Sequence, residues 1–187
     1  MAWRGALLAG MLSGCALLPS APAPAMRPAQ PESAPFALNG RIAVKYNGSR
    51  HSAGLRWTHT TQSDEILLLA PLGQTAARVY RDALSATLDD GDRHYQADDA
   101  ETLMQQVLGW YLPLRGLHHW ALGLAETGSP AQIERNGNGQ IAVLRQNGWD
   151  VHYQRYPDDK PDSLPTRLQL NHEGLQVQLL IDEWELP

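Results

Sequence analysis

From Phe36 onward the chain is written in period two. Phe36, Leu38, Ile42, Val44 and Tyr46 alternate with Ala37, Asn39, Arg41 and Lys45, and Ala53, Leu55 and Trp57 repeat the pattern. Alternation of this kind sends every second side chain to the same face of a strand, so it specifies a sheet with one apolar face and excludes a helical bundle. Short runs at 66–70, 75–81, 84–88, 94–97, 132–135, 141–146, 149–153, 168–170 and 175–181 read as further strands. Asn47-Gly48, Asp89-Asp90-Gly91, Asn136 to Gly139 and Asn171 to Gly174 supply turns between them. Ser49 to Ser52 are read as lengthening the first connection beyond two residues. About ten or eleven short strands at near-regular spacing predict a meandering antiparallel sheet curved toward a barrel. In the last strand the inward row runs on odd positions to Ile181 and on even positions at Trp184 and Leu186, which predicts a bulge near Asp182.

Residues 98–124 break the alternation. Asp98 with Glu101 resembles a capping box, and Leu103, Val107, Trp110, Tyr111 and Leu114 recur at helical spacing up to Pro113, which is read as closing the helix. Leu117, Trp120, Ala121 and Leu124 form a second apolar stripe beyond Gly116. Met104 and Leu108 widen the first stripe beyond what one sheet contact needs. The segment reads either as ordinary core packing or as a lid over the mouth of an open barrel.

The N-terminus reads as an address. Met1 to Arg4 are a short positive stretch and Gly5 to Leu12 an apolar one, well below the roughly 20 residues of a membrane-spanning helix, so residues 1–14 read as a secretory signal peptide. It ends in Leu12-Ser13-Gly14-Cys15, which resembles a bacterial lipobox. That resemblance implies cleavage ahead of Cys15 and covalent S-diacylglyceryl and N-acyl groups on it, with no other cofactor. Two or more acyl chains give stable membrane anchoring where one gives only marginal binding. Ala16 stands where the inner-membrane retention signal of such proteins carries aspartate, which implies the outer membrane. Cys15 is also the single cysteine, so an intramolecular disulfide and every multi-cysteine metal site are excluded. Between Pro19 and Pro35 the composition turns to Pro, Ala and Ser, an extended spacer. Residues 15–35 therefore read as a lipidated tether and 36–187 as one domain.

Several function classes lose their footing. Fifteen Lys and Arg against twenty Asp and Glu give a formal charge of -5, which argues against nucleic acid as a partner. Seven histidines invite a metal search, but His118 and His119 are adjacent and cannot both point inward from a helix, and the rest lack ligand spacing; they are expected at the surface or in a groove. Asp89-Asp90, Asp98-Asp99 and Asp158-Asp159 fall at turns or caps, where aspartate serves backbone hydrogen bonding. There is no Gly-x-Ser-x-Gly elbow and no phosphate loop, so no enzyme is expected. The aromatics are six Trp, six Tyr and one Phe, which suits surfaces part apolar and part wet. Pro71-Leu72-Gly73 is the sharpest local feature, because residues that stop a strand on both sides of Leu72 keep it from folding back into the core.

A set of ordered fragments then resembles the LolB family of outer-membrane lipoprotein receptors. The fragments are residues 36–44, Leu55-Arg56-Trp57, Ala70-Pro71-Leu72-Gly73, Tyr95-Gln96-Ala97, Leu108-Gly109 and Leu112-Pro113-Leu114. Leu117, Trp120, Gly123, Gln146-Asn147-Gly148-Trp149, Tyr153, Tyr156, Leu164-Pro165 and Trp184 follow in the same order. The resemblance implies an incomplete, strongly curved antiparallel β-barrel with a helical lid over an apolar cavity. It implies that Trp57, Trp120, Trp149 and Trp184, with Leu55, Val107 and Tyr153, face acyl chains, and that Pro71, Leu72 and Gly73 form a membrane-insertion loop, Gly123-Leu124 being the other candidate. It also implies the partners: a periplasmic LolA-like carrier, lipoprotein acyl chains and outer-membrane phospholipid. The expected activity is acceptance of lipoproteins and their insertion into the inner leaflet by a monomer facing the periplasm, without nucleotide hydrolysis. A lipid-anchored barrel holding a small apolar ligand is the alternative, and a hydrolase whose groups meet only in the fold is a further one.

Overall fold

The computed structural model describes residues 23–29 and 34–186. Its strands are β1 (Phe36–Tyr46), β2 (Ser49–His59), β3 (Asp64–Leu69), β4 (Thr75–Arg81), β5 (Ala86–Asp90) and β6 (Arg93–Ala97). After helices α1 (Ala100–Leu108) and α2 (Leu114–Ala121) come β7 (Ala131–Arg135), β8 (Ile141–Gln146), β9 (Trp149–Arg155), β10 (Arg167–His172) and β11 (Leu175–Glu185). All eleven form one antiparallel sheet in the order β6-β5-β4-β3-β2-β1-β11-β10-β9-β8-β7. Every neighbouring pair is a sequential meander except β1 with β11, so the first and last strands meet in the middle and β6 and β7 are left as free edges. The segment joining β6 to β7 has to pass from one edge of the open sheet to the other. Both helices lie on that segment, which is why the insert covers the concave face of an incomplete barrel.

The period-two rows set the inside. Leu38, Ile42 and Val44 of β1, Leu55 and Trp57 of β2, Ile66 and Leu68 of β3, Leu168 and Leu170 of β10, and Val177, Leu179 and Ile181 of β11 are all buried. Leu103 and Met104 of α1 and Leu114, Leu117 and Trp120 of α2 close over them in the same apolar cluster. The two eleven-residue strands β1 and β11 carry the predicted irregularity. Asn39 pairs with Glu183 but Gly40 with Ile181, so Asp182 is the extra residue of a bulge. A side chain at position 40 would place its Cβ 2.0 Å from the Leu180 carbonyl oxygen, so only glycine lets the strands approach here.

The structure corrects several local expectations. The first hairpin has a two-residue turn, with Tyr46 paired to Ser49 and both Asn47 and Gly48 at positive φ, so Ser49 to Ser52 belong to β2. Asp99, not Asp98, caps α1, its carboxylate accepting from the Thr102 amide at 2.7 Å. That helix ends at Leu108 against Gly109 in the left-handed region, and Trp110 and Tyr111 lie in the connection that follows. Pro113 therefore opens α2 instead of closing α1, and α2 stops at Ala121 before Leu124. Leu84 lies outside β5, in the turn before it.

The spacer is not wholly extended into solvent either. Met26 forms a bridge with Ser163, the Arg27 amide donates to Asp162 at 2.7 Å, and the Arg27 Nε donates to the Leu122 carbonyl at 2.8 Å. A guanidinium thus caps the C-terminal end of α2, where carbonyls lack helical partners and a cation is favoured. Cys15 and residues 1–22 lie outside the described residues.

Candidate functional site

The interior beneath the helices is apolar and nearly filled. Ile42, Leu55, Trp57, Ile66, Leu170, Val177 and Leu179 from the sheet meet Leu112 and Leu117 from the cover around a cavity of about 10 Å³. That is room for at most one water molecule. Leu112 and Leu117 are the plug, because they are the only members of this lining that do not belong to the sheet. The lining is apolar, as expected, but holds little free volume, so displacing the cover is what would make space for a chain.

Of the residues expected to face acyl chains, Leu55 and Trp57 lie in this lining. Trp120 of α2 and Trp149 and Tyr153 of β9 are buried together outside this lining. The Trp120 and Trp149 rings are 6.1 Å apart, and the Tyr153 hydroxyl donates to the Trp120 carbonyl at 2.8 Å. Gln146, buried among them, accepts from Trp120 Nε1 at 3.0 Å and from the Glu126 amide at 2.8 Å. Its amide nitrogen donates to the Glu126 carbonyl, so one side chain fastens the far end of α2 to β8. Trp184 is half-buried against the core but is not part of the apolar lining; it lies edge-on to Phe36 with its Nε1 donating to the Pro165 carbonyl at 3.2 Å. Val107 is half-buried at the edge of the core.

The loop Pro71, Leu72 and Gly73 is exposed throughout, and Leu72 is 85% exposed. The turn is closed by backbone bonds from Gly73 to Ala70 and from Ala70 to Gln74, each 2.8 Å, so the projection of Leu72 is set by the main chain. Leu124, the other candidate, is half-buried against the core. Leu84, which sequence reasoning placed in a strand, is 87% exposed in a turn at the opposite end of β4. Asp82 holds that turn by accepting from the Leu84 and Ser85 amides at 2.9 and 3.0 Å. The Asp-Ala-Leu-Ser run carries that turn signal in its first residue.

A buried polar cluster was also missed. Asp64, 2% exposed, accepts from Trp57 Nε1 at 2.8 Å and from Arg81 Nε at 2.8 Å, and it bonds His59 Nδ1 at 2.8 Å. Burial pushes the Asp64 carboxyl up, but His59, Arg81 and Trp57 together outweigh it and hold the group below its ordinary value. His118 of α2 stacks on His59 at 4.5 Å and lies 3.9 Å from His119. Burial, then the neighbouring His119 and His59, lowers the His118 pKa to about 4. His118 is half-buried and lines a groove, as expected of a surface or groove histidine, whereas His119 is buried, contrary to that expectation. The overlooked signal is positional, since His59 ends the inward row of Leu55 and Trp57 and Asp64 begins that of Ile66 and Leu68.

Among the described residues, no group of three or more His, Cys, Asp or Glu is placed to hold a metal ion, and no helix is long and apolar enough to cross a membrane. Comparison with known proteins points one way. The family model described as outer membrane lipoprotein LolB matches residues 34–184. The protein named outer-membrane lipoprotein LolB from Nitrosomonas europaea is 40% identical over 154 residues, covering 81% of this chain and 73% of its own. The one from Chromobacterium violaceum is 37% identical over 179 residues, covering 95% of each. A solved LolA superfamily protein from Nitrosomonas europaea covers 83% of this chain and 87% of its own at a TM-score of 0.49 and 10% identity, too remote to assign any residue. With its family model spanning the whole half-barrel and its cover, the chain belongs to the LolB family of outer-membrane lipoproteins.

Proposed function

We propose that this chain is an outer-membrane receptor that takes lipoproteins from a periplasmic carrier, holds their acyl chains beneath α1 and α2, and passes them into the bilayer at Leu72. The observation that supports the reading is the apolar interior whose lining joins seven sheet residues to Leu112 and Leu117 of the helical cover. Exposing one cargo acyl chain to water costs on the order of 10 kcal/mol at about 0.8 kcal/mol per CH₂, so the chains have to pass from one apolar enclosure to the next. A cover that closes on itself when empty keeps that interior from meeting water. The direction of transfer then needs only a tighter site at each step, and no nucleotide.

The role is one of binding and delivery, not catalysis. Lipidation of Cys15 would fix the domain to the membrane it serves. The full exposure of Leu72 supports delivery to a bilayer over retention of a small apolar ligand, for which a protruding leucine would be idle. The test is reconstituted transfer. A LolA-like carrier loaded with labelled lipoprotein is mixed with this chain without ATP. Movement of the label to the chain is expected, and no movement between a competent carrier and a folded chain would overturn the reading.

A further inference from the structure

Beside the buried polar cluster lies a groove of about 730 Å³, lined by the β2–β3 and β4–β5 turns and by His118. It shares elements with the apolar interior in one register. On β2, Leu55 and Trp57 line the interior and His59, next in the same inward row, lines the groove. On β3, Ile66 lines the interior and Asp64 the groove; on α2, Leu117 lines the interior and His118 the groove. One step of two residues along a strand, about 7 Å, therefore carries the lining from wholly apolar side chains to mainly polar ones, with Ala83 and exposed Leu84 as the apolar members of the groove. Trp57 spans the change, its ring in the apolar lining and its Nε1 on Asp64.

A wall that changes character in one step fits an amphipathic ligand lying across the change. The charges of the groove say which head it takes. Asp64, Asp82 and Arg81 line it, and Arg81 is already bonded to Asp64 at 2.7 Å, so among the described residues the lining offers no free cation to a phosphate and carries excess negative charge. The exposed amides and hydroxyls of Thr61 and Gln62 and the rings of His59 and His118 suit neutral ester and amide groups instead. We propose that this groove seats the polar head of an acylated cysteine, its diacylglyceryl ester carbonyls and N-acyl amide, while the attached chains occupy the interior beneath Leu112 and Leu117.

This inference rests on the receptor reading and adds to it where the cargo head lies and at which end of the barrel. The groove opens at the start of β3 and Leu72 follows its end, so the six residues of β3 separate head site from insertion loop by about 20 Å. Cargo head and membrane contact then lie at opposite ends of the sheet.

The experiment places a photo-crosslinking residue at exposed Gln62 of the full chain, and in a second preparation at exposed Glu134 on the edge strand β7. The probe is a synthetic triacylated cysteinyl peptide delivered by the carrier, with phosphatidylethanolamine vesicles as a separate arm. Crosslinking of the peptide at Gln62 at least tenfold above Glu134, with no such excess for the phospholipid, is expected. Transfer of the peptide with equal crosslinking at the two positions would overturn the groove assignment and leave the receptor reading intact. Equal excess for phospholipid would overturn the choice of head. Failure of the peptide to transfer at all would remove the receptor reading and this inference with it.

Discussion

Replacing Leu72 by alanine isolates the membrane step. The side chain is 85% exposed, so almost all of its apolar surface is still to be buried when the loop meets a bilayer. Burying a whole leucine side chain yields about 1.5–3 kcal/mol, so its truncation should weaken membrane engagement by about 2 kcal/mol, or close to thirtyfold. The folded state should not notice, because the turn is held by its backbone bonds and the side chain is almost wholly exposed; the change in stability should stay within about 0.5 kcal/mol. The assay loads the lipid-anchored chain with labelled lipoprotein and follows two rates separately, carrier to chain and chain to liposome. Alanine should slow the second by up to about thirtyfold and spare the first, and glutamate should slow it further because a charge is costly at the bilayer. Ile133→Ala is the control, an exposed hydrophobic on β7 away from both the loop and the groove, and delivery should be unchanged. Equal loss of both rates in Leu72→Ala, or an unchanged second rate, would refute the assignment of Leu72.

Three further substitutions test the scaffold. Gly40→Ala forces a Cβ against the Leu180 carbonyl at the seam between the first and last strands, and should destabilise the domain by about 3 kcal/mol or more in chemical denaturation. Gln146→Leu leaves Trp120 Nε1 and the Glu126 amide without their acceptor and should cost about 2–4 kcal/mol while loosening α2, read as faster amide exchange in that helix. His118 is held neutral in the folded state, with a pKa near 4 against 6.5 for the free group. The unfolded chain binds its proton first as pH falls, so His118 favours folding above about pH 6.5 and loses that contribution progressively toward pH 4. Thermal melting should therefore drop between pH 7 and 5, and His118→Phe should flatten that part of the profile while Asp64 keeps its charge throughout.

The sheet was legible because alternation is a local property. A row such as Leu38, Ile42 and Val44 states its own face, and even the Asp182 bulge shows as a change of parity within one strand. The helical insert was legible as an insert but not in its boundaries. The stripe from Leu103 to Leu114 keeps its period past the end of α1, and only the left-handed Gly109 and the start at Pro113 separate two helices that pattern alone joins. Leu72 could be read because proline and glycine forbid the alternatives locally. The Asp64 cluster could not, since its meaning comes from Arg81 and His118, which reach it from other elements. The packing of Arg27 on Leu122 was hidden for the same reason, with ninety-five positions between donor and acceptor.

The central claim is that acyl chains enter an interior now closed by Leu112 and Leu117. Lipoprotein carrying brominated acyl chains tests it, because bromine quenches only the indoles it approaches. The account predicts that loading from the carrier quenches the emission of Trp57 and spares that of Trp184, which lies outside the apolar lining, as read in Trp57→Phe and Trp184→Phe variants. Quenching confined to Trp184, or loading with no quenching of Trp57, would place the chains elsewhere and contradict the account.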